Sequence, residues 1–191
     1  MKARKVKKLD PDGPLGVNAA RIVRTRAQEL GSFAPEALEA DAIDAQHDMR
    51  IAAKRLRYVL EVTGFCFGDP AKAARRAARG LQEVLGEMHD CDIMMPRVRD
   101  QIESLHRADA REVLLRASGS DDLDPALVAD APNRGAYRGL ELLSVHLRAR
   151  RALLFERFGE LWRAETAKGT WSRLEREVEE RLRAGDRFPV S

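Results

Sequence analysis

The sequence predicts an all-α chain, an antiparallel bundle of about six helices, in count one and a half four-helix bundles. Three observations carry that expectation. Val, Ile and Thr are sparse while Ala, Leu, Arg and Glu dominate, which favours helix over strand. No run of strand length alternates apolar and polar residues with a period of two. Gly, Pro and Asp punctuation cuts the chain into stretches of helical length. Hydrophobic residues make up 44% of the 191, enough for one packed core.

The punctuation orders the elements. A basic tail over residues 1–13 is expected to be disordered and solvated, or to extend a polyanion site; the helical domain follows over 14–185. The first helix is expected from about Pro14 to Leu30, stopped by Gly31, and the second from near Asp41 to before Gly64. The third starts at Asp69-Pro70, with Asp as N-cap and Pro at N1, and ends near Met88. A fourth is expected from about Cys91 to Ala117, with Asp90 and Asp92 as its N-cap residues and Pro96 in its first turn or at a kink. The Ser/Gly/Asp/Pro stretch 118–133 reads as a loop. A long fifth helix follows from about Gly135 to Lys168, bent at Gly159, and a sixth over about Thr170 to Arg183.

Charge is abundant and unevenly placed. Thirty-four Lys and Arg against 31 Asp and Glu leave a net +3, although 34% of the chain is charged. Residues 1–26 carry +6, 27–45 carry −5, 46–80 carry +5, 81–108 carry −3, 109–133 carry −4 and 134–151 carry +4. Basic blocks separated in sequence and joined in space make an anion site.

Helical projection gathers these bases into stripes. On the second helix His47, Arg50, Lys54, Arg57, Tyr58 and Glu61 fall within roughly 100° of arc, opposite Met49, Ala53, Leu56 and Leu60. Cations three or four residues apart repel and destabilise a helix, so a sequence that keeps them is suited to holding an anion. On the third helix Lys72, Arg75, Arg76, Arg79, Gln82 and Glu83 repeat the design, and on the first Arg21 and Arg24 share a face. On the fifth, His146, Arg150 and Arg157 are bordered by apolar positions, which predicts an inward-facing stripe. Arg supplies planar bidentate contacts to phosphate oxygens and Lys a mobile point charge. The competing reading of any one stripe is a solvated face laced with acidic partners; four stripes of like character weigh against it.

Other chemistry finds little support. No apolar run reaches the roughly 18 residues a membrane helix needs, and the basic N-terminus leads into Asp and Pro rather than a secretory leader. Two isolated cysteines, Cys66 and Cys91, suit a reducing cytoplasm and read as small buried fillers. There is no Gly-rich phosphate loop, no H-E-x-x-H and no paired C-x-x-C. His47, His89, His106 and His146 match no standard zinc spacing, so no metal and no cofactor are expected. Aromatics are only 5%, which argues against base stacking and against single-stranded nucleic acid. A ligand that is all phosphate and no base fits better.

Two strings narrow the reading. HDMRIAAKRLRYVLE at 47–61, followed by LQEVLGEMHDCDI at 81–93, resembles the conserved histidine alpha-helical domain, the CHAD family. The resemblance implies an all-helical fold with a basic cavity for inorganic polyphosphate, association with polyphosphate granules, and no catalysis by the domain. It implies phosphate contacts from His47, Arg50, Lys54 and Arg57, a shared surface from Lys72, Arg75 and Arg79, and an orienting acid at Asp90. Family members commonly carry two copies of the pattern. Here one copy is clear and 134–160 is a degenerate echo, so the cavity closes either within one chain or with a second copy as a homodimer.

The leading expectation is therefore a non-catalytic polyphosphate-binding protein whose site draws on these residues together with Tyr58, Arg21, Arg24, Arg150 and Arg157. The alternatives are an enzyme acting on polyphosphate or triphosphate, for which Glu61 and Glu83 are the only obvious groove carboxylates, a nucleic-acid-binding helical protein, and a structural helical adaptor.

Overall fold

The structure, a computed structural model, describes residues 2–185. It is 82% helical, and its α-helices are α1 (Leu15–Ala37), α2 (Ile43–Thr63), α3 (Gly68–Arg116), α4 (Pro125–Ala129), α5 (Arg134–Ala167) and α6 (Thr170–Ala184), with a 3-10 turn at Gly64–Cys66. No strand occurs among the described residues. The all-α class and the helix count agree with the sequence reading, but the six are not the same six. No helix among the described residues is long and apolar enough to cross a membrane.

Helices expected to be separate are joined. α3 runs unbroken for 49 residues through the junction expected near His89. Its buried stripe explains this: Leu85, Met88, Cys91 and Val98 follow one another at three-, three- and seven-residue intervals, so continuing the helix keeps apolar side chains covered. Asp90 and Asp92 are therefore mid-helix residues rather than N-caps. Pro96 lies inside the helix and exposed, where its missing N–H removes one backbone bond, to Asp92. α1 likewise passes Gly31 and Pro35 to Ala37, because Leu30, Ala34 and Ala37 all stay buried. The loop 118–133 contains the one-turn α4, capped by the Asp124 carboxylate, which accepts from the Ala126 amide at 2.8 Å, with Pro125 at N1. Gly159 is buried within α5 and does not interrupt it.

The chain forms two compact units, Met1–His89 with Leu154–Ser191, and Asp90–Leu153. In the first, α1 packs on α2 and on α6. Its core is Val23, Leu30, Met49, Leu56, Phe67, Leu81, Leu85, Phe158 and Leu174, interleaved with buried alanines such as Ala20, Ala52, Ala53 and Ala74. Small residues at these positions let helix axes approach closely. In the second, the buried Asp109 carboxylate accepts from the backbone and the side-chain amide of Asn133, the latter at 2.7 Å, and so fixes the end of the 118–133 segment.

The N-terminal tail departs from expectation. It is laid along α1 rather than free: the Arg4 amide donates to Glu29 at 3.1 Å, its guanidinium to Ser32 at 2.7 Å, and Arg21 donates to the Lys8 carbonyl. Asn18 brackets Asp10, accepting from its amide and donating to its carbonyl. Glu29 is wholly buried and needs donors, and the tail supplies one of them.

Candidate anion-binding site

The site is built on α2. Gln46 donates its side-chain amide to the Glu39 carbonyl at 2.8 Å, closing the α1–α2 turn and setting where the α2 face begins. Met49, Ala52, Ala53, Leu56 and Leu60 are buried against the core. That placement turns His47, Arg50, Lys54, Arg57, Tyr58 and Glu61 to the other side, as the helical period requires. Lys54 and Tyr58 are exposed, whereas His47, Arg50 and Arg57 are half-buried.

α3 lies beside this face, antiparallel to it. Its His89 ring sits 4.7 Å from that of His47, centroid to centroid, and at the other end the Glu61 carboxylate acts electrostatically on Arg79. Between these two ends, three buried side-chain atoms of α2 have no hydrogen-bond partner: Nδ1 of His47, Nε of Arg50 and Nε of Arg57. A fourth, Oε1 of Gln82, lies on α3. Only Trp171 adds another such atom among the described residues. A polar group shut from solvent without a partner costs on the order of 1–3 kcal/mol. An oxyanion bound on this face would accept from the two arginines and a protonated imidazole, and rotation of the Gln82 amide presents its N–H₂ instead of its oxygen.

Local electrostatics fit the same reading. Burial, then His89 and then Arg50 push the His47 imidazole below its ordinary value, against the opposing carboxylate of Asp48. Arg57 stacks its guanidinium 4.4 Å over the Tyr58 ring, and its nearest carboxylate, Glu61, is 3.8 Å away. On α3 the cations are more exposed and more closely paired. Lys72 meets Asp69 at 3.0 Å and Arg79 meets Glu83 at 2.8 Å, which holds the Arg79 guanidinium above its usual range. Arg75 is exposed.

The remaining predicted residues lie elsewhere. Arg24 pairs with Glu179 of α6 at 3.2 Å, and Arg21 holds the tail. Arg157 lines a groove of about 420 Å³ in company with Glu83, Glu87 and Glu160. The stripe of His146, Arg150 and Arg157 does not face inward: all three are exposed, because Leu147 and Leu154 take the buried side of α5. Asp90 and Arg150 belong to the second unit, where Asp90 is exposed and the carboxylate that orients an arginine is Asp92, 2.8 Å from Arg151. No group of three or more His, Cys, Asp or Glu side chains able to hold a metal occurs among the described residues. Cys66 and Cys91 are both buried, and burial raises both thiols above the usual cysteine range.

A family model, the CHAD domain, matches residues 2–99, just over half of the chain. The chain belongs to the CHAD domain family. The matched span holds the tail, α1, α2 and the first part of α3, and so both walls of the cationic face. No curated protein and no solved structure matches.

Two features of this CHAD chain were not drawn from the sequence. His89 belongs to the LQEVLGEMHDCDI string but has no phosphate role in the sequence reading, whereas the structure sets its ring against that of His47. The second is the buried Glu29 with Arg26 and Arg55. Glu29 stands about 100° around α1 from Leu30 and farther from Val23 and Ala34, so the helical period carries no signal of its burial.

Proposed function

We propose that this CHAD protein binds inorganic polyphosphate on the α2–α3 face without catalysing its turnover, as a granule-associated protein. The observation that carries the reading is the set of buried, unpartnered atoms on His47, Arg50, Arg57 and Gln82, gathered on one cationic face. Successive phosphates of a linear polymer bring an oxyanion to each of several cations spaced one helical turn apart. The family is associated generally with polyphosphate and triphosphate binding, which agrees. Binding rather than hydrolysis is supported by the two groove carboxylates: Glu61 and Glu83 face Arg57 and Arg79 and serve as partners of cations.

Titration with long-chain polyphosphate at several salt concentrations tests this. Affinity is expected to fall steeply with salt, with a log–log slope of about one unit lost per phosphate contact removed. An Arg50→Ala/Lys54→Ala/Arg57→Ala variant is expected to bind at least about a hundredfold more weakly. Equal affinity of the variant overturns the assignment. Release of orthophosphate on incubation with Mg²⁺ or Mn²⁺ favours the enzyme reading, and displacement by duplex or single-stranded nucleic acid at matched charge favours the nucleic-acid reading.

A further inference from the structure

Two imidazoles, His47 of α2 and His89 of α3, face each other at one end of the cationic face. The His47 and His89 rings are 4.7 Å apart and inclined at 48°, close enough that a proton on one opposes a proton on the other. Arg50 stands one turn along α2 and is cationic at every accessible pH. Asp48 on α2 is the carboxylate that acts in the opposite sense. His89 lies between Glu87 and Asp90 on its own helix. His47 Nδ1 is buried with no partner, so the ring has an unused position that a protonated imidazole would turn into a donor.

We infer that His47 and His89 make polyphosphate binding proton-coupled: the site takes up protons together with the polyanion, and its affinity rises as pH falls from about 8 to about 5.5. The inference rests on the polyphosphate reading and adds a regulator to it. With no anion on this face, a proton on His47 meets burial, His89 and Arg50, which together outweigh the opposing carboxylate of Asp48. A phosphate oxygen placed against the pair reverses that balance, because it accepts from the N–H that protonation creates. Thermodynamic linkage then requires that protons promote binding to the same degree that binding promotes protonation. Polyphosphate itself opposes the trend, since only its terminal groups titrate near neutrality and they lose charge on acidification. A rise in affinity at low pH therefore belongs to the protein.

The test is calorimetric titration of the full chain with long-chain polyphosphate at about pH 8, 6.5 and 5.5, each in two buffers of different ionisation enthalpy. Wild type is expected to bind at least about tenfold more tightly at the lowest pH than at the highest, with net proton uptake near pH 6.5; one unit of pKa change on one imidazole is tenfold in affinity. His47→Gln and His89→Gln are expected to flatten the pH dependence and reduce the proton uptake. A His106→Gln/His146→Gln control, whose residues lie in the second unit, keeps both. Binding that is tight but independent of pH, with no proton uptake, overturns the inference and leaves the polyphosphate reading standing. A pH dependence that survives in both single variants and disappears in the control also overturns it. Absence of binding at every pH overturns both.

Discussion

The Arg55 guanidinium donates to Glu29 across 3.1 Å, and Glu29 has no exposure to solvent. Arg26 donates to the second carboxylate oxygen at 2.6 Å, and the Arg4 amide to the first at 3.1 Å. α1, α2 and the tail are thus tied through one buried charge. Breaking such a network costs most when it leaves the charge unpaired. An Arg26→Ala/Arg55→Ala variant is expected to lose about 3–5 kcal/mol of stability, because it strands the carboxylate. Glu29→Ala is expected to lose less, about 2–3 kcal/mol, since the freed arginines, partly exposed already, can turn to solvent. Urea unfolding of the two variants checks the order. A larger loss for Glu29→Ala would contradict the account.

Arg24 and Arg50 both carry a positive charge on a helix face, but their surroundings differ. Arg24 pairs at the surface with Glu179, both side chains being about two-fifths exposed, and such a pair contributes at most about 1 kcal/mol. Arg50 holds a buried Nε with no partner. Arg24→Ala is expected to change polyphosphate affinity by less than about threefold, and Arg50→Ala to weaken it by about tenfold or more. Fluorescence anisotropy with labelled polyphosphate at fixed salt distinguishes the two.

The fold class and the α2 face were legible because both are periodic. Apolar residues every three or four positions define a buried side, and His47 through Glu61 necessarily take the other. What could not be read was local punctuation overruled by burial. Gly31, Pro35 and the Asp90–Asp92 segment carry stop or start chemistry, yet Leu30, Ala34, Met88 and Cys91 pull the chain through as helix. The inward reading of the α5 stripe failed for a related reason. An apolar border on both sides of a cation does not say which border is buried, and only the fold shows that Leu147 and Leu154 are covered while Leu143 and Leu153 are exposed. Charge alone reads the tail as disordered, whereas its position is set by backbone donors and acceptors that a composition does not reveal.

Gly169 sits between α5 and α6 in the left-handed region, with φ of 68°. A Cβ there would also meet the Ser172 hydroxyl at 3.2 Å. Gly169→Ala is expected to destabilise by about 1 kcal/mol or somewhat more, and Gly169→Asn by less, because Asn tolerates this backbone conformation. Thermal unfolding of both variants checks the order.

His47 makes the stability of the ligand-free protein depend on pH in a predictable sense. Burial, His89 and Arg50 hold its folded pKa below the value it has in the unfolded chain, about 6.5. Between those two values the unfolded state binds the proton and the folded state does not, so stability rises with pH across that window and is lost on acidification through it. Tm of the wild type is therefore expected to fall between about pH 7.5 and about pH 5.5, a range in which ordinary carboxylates remain ionised. His47→Gln removes the group and is expected to lessen the fall. Saturating polyphosphate is expected to lessen it as well, by supplying an acceptor for the protonated ring. Differential scanning calorimetry of wild type and His47→Gln, each with and without polyphosphate, reads all four cases. A steeper decline in His47→Gln than in wild type would show that other groups set the acid sensitivity of the fold.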